Sequence, residues 1–329
     1  MKGDPSKRPT ALVTAPFSGP GVERLSTDVD LIIDPWIDHS PLRLYNAQAL
    51  AQRAADEGAT IIICEADEAK GPVFDLPLLA IGSTRGDPTN VDLAAATAAG
   101  VPVLHAPGRN ADGVAELAVG LLLAVTRHLL AADNDVRSGE IYRDGSIPYQ
   151  RFRAWQVAGR TVGLVGLGAV GRAARWRFEG MGMRVIAADP YAADATHSLD
   201  DLLAEADVVS MHAAVTPDTA RMIGAEAIAR MKDGAVYINT ARAGLHDLDA
   251  VTDALISGKL SGAGLDHFDG EFLPAGHPLT ALPNVVLAPH IGGATYDTEA
   301  NHTSLIADDL RRLLAGERPL HIANPEVLP

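Results

Sequence analysis

A single cysteine, Cys64, stands among 329 residues. One thiol excludes an internal disulfide, and its setting, TIIICEAD, reads as a buried strand in which the side chain packs. Such usage suits a reducing cytosol. Basic residues are also in short supply: 27 Lys and Arg face 42 Asp and Glu, for a net charge of −15. Binding to a phosphate backbone needs clustered cations, so nucleic acid is disfavoured as a partner, while a small anion can still be held by a few local positive groups. Long apolar runs are absent as well. The most apolar stretch, ELAVGLLLAVTRHLLAA (116–132), is interrupted by Arg127 and His128. Its uninterrupted part is too short to cross a bilayer and reads as a buried helix. The opening MKGDPSKRPT carries no apolar signal region. The expectation is a cytoplasmic protein without a membrane partner.

What is present is rhythm. Hydrophobic residues make up 47% and charged residues 21%, a globular balance, and the length favours two domains over one. Short β-branched runs alternate with longer Ala- and Leu-rich segments, which predicts parallel sheets covered by helices. A first series of strands reads TALVTA, VDLIID, TIIICE, LLAIGS and VPVLHA, with helices predicted over PLRLYNAQALAQRAADEG and VDLAAATAAG. A second series reads RTVGLVG, MRVIAAD, DVVSMHA, GAVYINT, GAGLDHF and NVVLAPH. One more helix, YDTEANHTSLIADDLRRLLAG, follows, and then an extended, proline-broken tail. A lone terminal helix needs a surface for its apolar face, and packing it on the first domain makes that domain discontinuous. No fixed-period repeat is visible.

The most informative stretch is TVGLVGLGAVGRAARWRFEGMGMRVIAADP. Gly166, Gly168 and Gly171 form G-x-G-x-x-G directly after a strand and at the head of a helix, where Ala169 and Val170 open the first turn. Such glycines permit a tight turn, close approach of backbone to a pyrophosphate and tight helix–strand packing, while the helix N-terminus offers free N–H groups. The second strand ends in Asp189, at the distance the dinucleotide fingerprint requires. A carboxylate there accepts hydrogen bonds from ribose hydroxyls and repels a 2′-phosphate, and PYAAD follows with no arginine. NAD(H) is therefore expected over NADP(H).

Three later strands end in ionisable groups: YINTARAG offers Arg242, GLDHFDGEF offers Asp266, Asp269 and Glu271, and LAPHIGG offers His290. Singly, each has a plain reading as a surface charge, a solvated acid or a loop histidine. Together, behind a dinucleotide fingerprint, they suit hydride transfer to a 2-oxo acid. Arginine grips the substrate carboxylate in a planar fork. Histidine supplies the proton to the forming alkoxide, and a carboxylate beside it favours its charged form.

These motifs, VGLVGLGAVGR, NTARAGLHD, GLDHFDGE and PNVVLAPHIGGAT, resemble the NAD-dependent D-isomer-specific 2-hydroxyacid dehydrogenases, a family that includes D-lactate, D-glycerate and D-3-phosphoglycerate dehydrogenases. The resemblance runs over nearly the whole chain, most weakly over its first quarter. It implies two Rossmann-like α/β domains with parallel sheets, the cofactor domain (109–294) inserted into a discontinuous substrate domain (1–108 and 295–329), with the active site in the cleft. It implies Arg242 as the substrate-binding cation and His290 as general acid/base. Glu271, five residues past Asp266, is implied as the partner of that histidine. It further implies substrate contacts from the backbone of Arg85 and Gly86 in STRGDPTNVD and from Asn110 in APGRNADGVAE. Cofactor contacts are implied for His212, Ala213 and Thr219 in MHAAVTPDT, for Thr240 and Ala241, for Asp266 at the nicotinamide carboxamide, and for Gly292 and Gly293 beside the ring. No metal site is implied, and a homodimer built on the cofactor domains is. Departures are Ala243 for a common glycine, His267 for the usual valine, Phe272 for the proline after the glutamate, and Ala-Ala before VTPDT. They bear on which 2-oxo or 2-hydroxy acid is taken, not on reaction class. Corepressor-like NAD sensors and phosphite- or formate-oxidising relatives share the fold and stand as alternatives, although the formate enzymes carry glutamine where this chain has Glu271. No regulatory domain is expected after Pro329.

Overall fold

The computed structural model describes residues 8–328; the opening residues 1–7, which belong to the segment read above as free of a signal region, lie outside them. The described residues divide into two compact units, one made of residues 8–109 and 295–328, the other of residues 110–294.

The first unit begins β1 (Thr10–Val13), α1 (Pro20–Ser26), β2 (Asp30–Ile33), α2 (Ala47–Asp56), β3 (Ile61–Cys64), β4 (Ala80–Ser83), α3 (Leu93–Ala98) and β5 (Val103–Leu104). The five strands form one parallel sheet in the order β2-β1-β3-β4-β5. Side chains alternate across a strand, so each sheet face receives every second residue. Leu12, Ile62 and Ile81 pack with Leu50 and Ala54 of α2 and Ala96 of α3. Ala11, Val13, Ile61 and Ile63 meet Leu25 of α1 on the other face. Cys64 lies fully buried, and burial pushes its thiol up to about 12, so it packs and does not react.

The second unit begins with α4 (Ala111–Thr126), α5 (Leu129–Arg137) and α6 (Pro148–Arg151). It continues with β6 (Thr161–Val165), α7 (Ala169–Gly180), β7 (Arg184–Ala188), α8 (Leu199–Glu205), β8 (Val208–Met211), α9 (Ala225–Arg230) and β9 (Ala235–Asn239). Last come α10 (Leu248–Ser257), β10 (Leu260–Leu265) and β11 (Val285–Leu287). Its parallel sheet runs β11-β10-β9-β8-β6-β7. Leu122 and Val125 of α4 and Phe178 of α7 cover one face through Leu164, Val208 and Ile238. Leu202 of α8, Ile228 of α9 and Val251 of α10 cover the other through Val209, Tyr237 and Leu265. The chain reverses its winding direction at β6, whose neighbours are β7 and β8. Open α/β sheets bind ligands beyond the carboxyl ends of their strands at such a switch point. The chain then returns to the first unit as α11 (Tyr296–Leu314), whose Ile306, Ala307 and Leu310 complete the face already lined by Leu25.

Two expectations change. The helix predicted from Pro41 begins at Ala47, because the Asn46 side chain accepts the Ala49 N–H and caps it there. The apolar stretch 116–132 is not one buried helix. It breaks at Arg127 and His128, the latter in the left-handed region at φ 54°, and Leu129 and Leu130 beyond the break are more than half exposed. No single helix among the described residues is long and apolar enough to cross a membrane.

Three histidines, His246 and His302 buried and His212 half-buried, make the fold acid-sensitive. His212 rests on the Ser210 hydroxyl, His246 accepts from the Asn239 side chain, and His302 accepts from Arg109 while donating to the Pro16 carbonyl. Burial pushes each imidazole down to about 4. Unfolded histidine titrates near 6.5, so below that pH the unfolded chain binds protons the folded one refuses, and stability falls as pH drops toward 4. Each group contributes at most about 1.4 kcal/mol per pH unit. Urea midpoints are expected to drop between about pH 6.5 and pH 5, before most carboxylates titrate; a midpoint that stays level over that interval would show the histidines to be solvated.

Candidate active site

The glycine turn follows directly from β6. Gly166 sits at φ 98°, and a Cβ there would come within 2.6 Å of the Ala213 nitrogen just past β8. Only glycine meets both demands. Gly168 is the N-cap of α7 and offers no side-chain cap, so the first-turn N–H groups of Ala169, Val170 and Gly171 have no side-chain partner there. At the end of β7, Asp189 accepts the Leu167 N–H through Oδ2 at 2.7 Å and the Tyr191 N–H through Oδ1 at 2.8 Å. Two bonds out of about four acceptor positions leave the carboxylate able to take hydroxyl donors. These groups border a cavity of about 810 Å³ whose lining includes Gly166, Gly168, Asp189, His212, Ala213 and Thr219. The Thr219 hydroxyl is spent within its own turn, donating to the Ala214 carbonyl at 2.7 Å and accepting the Thr216 N–H, so it shapes a wall. At the end of β9 the Thr240 hydroxyl is buried without a partner, and the Ala241 N–H donates to Asn239. The glycine cradle, the acceptor at Asp189 and the orphaned Thr240 hydroxyl fit a dinucleotide.

Beyond β10 and β11 two loops meet. His290 Nδ1 lies 2.8 Å from Glu271 Oε1. Both residues are in the left-handed region, at φ 57° and 56°, a conformation that costs a non-glycine residue and is kept only where the surroundings impose it. Here Asp266 imposes it on His290. Its carbonyl accepts the His290 N–H at 2.9 Å, and its two carboxylate oxygens accept the N–H groups of Ile291 and Gly292 at 2.8 Å each. Three consecutive donors thus converge on one fully buried residue. A Cβ on Gly292 would stand 3.1 Å from that carboxylate, and one on Gly293 would stand 3.0 Å from Asn110 Nδ2, so the two glycines keep the loop close to its own supports. The His267 ring lies below that of His290 with centroids 3.9 Å apart. It is 3% exposed, and burial, helped by the neighbouring His290 and Arg242, pushes it down to about 4. Arg242 is exposed at the end of the β9 strand, held by NH1 on the Ala241 carbonyl at 2.6 Å, and forms no ion pair among the described residues.

Arg85 and Gly86 belong to the first unit, past the end of β4. The Arg85 N–H has only a 3.4 Å contact to Ser83 Oγ, its carbonyl accepts from Ala106, and the Gly86 carbonyl is 2.8 Å from His105 Nδ1. A Cβ on Gly86 would make only ordinary contact, 3.6 Å from the Ala106 carbonyl, so the fold itself does not require glycine there.

Residues 119–292 match the family model described as D-isomer specific 2-hydroxyacid dehydrogenase, NAD binding domain. Glyoxylate reductase of Thermofilum pendens is 35% identical, over 98% of this chain and 96% of its own. A putative D-isomer specific 2-hydroxyacid dehydrogenase from Polaromonas sp. superposes with a TM-score of 0.82 at 29% identity, over 96% of this chain and 99% of that one. The NADPH-dependent glyoxylate/hydroxypyruvate reductase of Sinorhizobium meliloti superposes with a TM-score of 0.76 at 27% identity, over 97% and 98%. The chain belongs to the D-isomer specific 2-hydroxyacid dehydrogenases. It is an oxidoreductase with an NAD-binding domain. Sequence reasoning missed two parts of this dehydrogenase site: the clamp of Asp266 on the His290 loop, and the contact of His267 with His290. The first carries no sequence signal, because its donors are backbone. The second was visible only as a departure from a usual valine.

Proposed function

We propose that this dehydrogenase reversibly reduces a small 2-oxo acid to its D-2-hydroxy acid, with His290 as general acid/base. The observation that carries this is the 2.8 Å pairing of His290 Nδ1 with Glu271, which commits one ring nitrogen to a carboxylate and leaves Nε2 for substrate. The bound nicotinamide supplies the hydride. Arg242, free of any ion pair among the described residues, takes the substrate carboxylate, assisted by the backbone N–H groups of Arg85 and Gly86. His290 passes its proton to the carbonyl oxygen during reduction and takes it back during oxidation. NADH is the preferred cofactor, since Asp189 would face a 2′-phosphate and the nearby Arg172 and Arg175 are both engaged by Asp194. Assay of glyoxylate, hydroxypyruvate, pyruvate and sugar-derived 2-oxo acids with NADH and with NADPH tests both points. Turnover of at least one acid is expected, faster with NADH; no turnover on any acid defeats the activity, and faster NADPH oxidation defeats the cofactor choice.

The same reading includes a homodimer joined through the second unit. Leu129, Leu130, Val136, Tyr142, Ile147 and Tyr149 are all exposed along α5, α6 and their connection, a concentration of large apolar and aromatic side chains in one short stretch of chain. Sedimentation of the wild-type chain is expected to give a dimer, and of the Tyr142→Asp, Tyr149→Asp double variant a monomer. A wild-type monomer, or a variant dimer, removes this surface as the interface.

A further inference from the structure

His267, Glu271 and His290 bring three metal-ligand side chains together, with donor atoms all within 4.8 Å of one another. Glu271 and His290 are in direct contact at 2.8 Å, and the His267 ring closes the inner side beneath His290. Zinc bonds of about 2.0–2.2 Å place tetrahedral donors roughly 3.3 Å apart. The rearrangement needed falls on the exposed Glu271 side chain, because His267 is walled in and the His290 backbone is clamped by Asp266. Two imidazoles and one carboxylate form a zinc-type donor set with an outer position left for water, unlike the all-oxygen sets that suit magnesium or calcium. The surroundings favour a cation. The Asp266 carboxylate lies 4.0 Å from His267 Nε2, beyond hydrogen-bond reach but near enough for its charge to favour a cation beside that ring. Glu271 adds negative charge at the rim, against the positive charge of Arg242.

We propose that His267, Glu271 and His290 form a binding site for one zinc-class divalent cation. When filled, the site occupies the imidazole lone pair of His290 and stops proton transfer. Binding stands independently of the reaction; the inhibitory consequence rests on His290 being the acid/base as proposed above.

The test titrates the full chain with Co²⁺, read by visible absorption, and with Zn²⁺, read by calorimetry, with turnover followed in parallel. His267→Phe keeps the ring and removes the donor; His267→Cys replaces imidazole with thiolate. The wild type is expected to bind one equivalent, with a tetrahedral Co²⁺ spectrum and loss of turnover as the site fills. The Phe variant should bind at least about tenfold more weakly, and the Cys variant should retain the site. Each variant's turnover is referred to its own metal-free rate. Equal affinity in the Phe variant, or no tetrahedral Co²⁺ spectrum in the wild type, overturns the site. Stoichiometric binding with undiminished turnover overturns the blocking role while leaving the site. A metal-free enzyme that turns over no 2-oxo acid counts against the proposed reaction alone.

Discussion

His290→Asn is expected to lower turnover by about two to four orders of magnitude while NADH binding stays unchanged. Asparagine is the informative replacement because His290 sits at φ 57°, where asparagine is tolerated and alanine is strained. Its N–H still donates to the Asp266 carbonyl, so the loop clamp survives and the only group removed is the one proposed to move a proton. Glu271→Gln should cost less, about tenfold, since an amide oxygen still orients the ring but no longer stabilises its charge. The ordering matters as much as the size. If the asparagine variant keeps turnover within about tenfold of wild type, His290 is not the proton donor at all. If Glu271→Gln is the more damaging of the two, the roles assigned to the pair are reversed.

The parts of this molecule that could be read from the sequence are those in which contiguous residues meet a local demand. The turn from Gly166 to Gly171 and its acceptor Asp189 lie within one strand–helix–strand unit, so spacing alone exposes them. The two strand series were legible for the same reason, since β3 and β9 are buried along their whole length and read as apolar runs, β9 up to its terminal Asn239. The helix break at His128 was not. Arg127 and His128 interrupt the apolar run, but a polar pair on one continuous helix has the same spelling as the left-handed residue that separates α4 from α5.

The same limit applies at the candidate site. Arg242, Glu271 and His290 could be picked out as residue types at strand ends, but what aims His290 is the convergence of three backbone N–H groups on Asp266. The resemblance assigned Asp266 to the nicotinamide. The structure adds that its carboxylate accepts two bonds from the His290 loop. Pattern reading sees the side chain and cannot see which backbone it organises. Gly86 shows the converse: the resemblance implies a substrate contact from its backbone, and the protein's own packing, which leaves room for a side chain, carries no trace of that demand.

Two glycines of the fingerprint are expected to fail in different ways, and the difference separates folding from cofactor binding. A Cβ at Gly171 would lie 2.2 Å from the Gly166 carbonyl oxygen and 3.1 Å from its carbon. Neither is a flexible side chain, and Gly166 has no slack to yield, because a Cβ of its own would meet the Ala213 backbone. Gly171→Ala must therefore push α7 away from the turn. Overpacking of this kind costs about 1–3 kcal/mol, and the displaced N–H groups lose their aim. Melting should fall by several degrees, and NADH affinity should drop by two orders of magnitude or more. At Gly168 a Cβ would have no heavy atom within 4 Å, and φ is −72°, so Gly168→Ala folds with at most a few tenths of a kcal/mol lost at the N-cap. Its NADH affinity should nonetheless fall about tenfold or more, because the added methyl stands where backbone must approach the pyrophosphate. Melting curves and NADH fluorescence titrations on both variants read the two effects apart. Wild-type melting in Gly171→Ala would mean that the turn is looser than its contacts imply. Wild-type NADH affinity in Gly168→Ala would mean that the pyrophosphate does not lie over this residue, and the cofactor would have to be placed elsewhere along the carboxyl ends of the sheet.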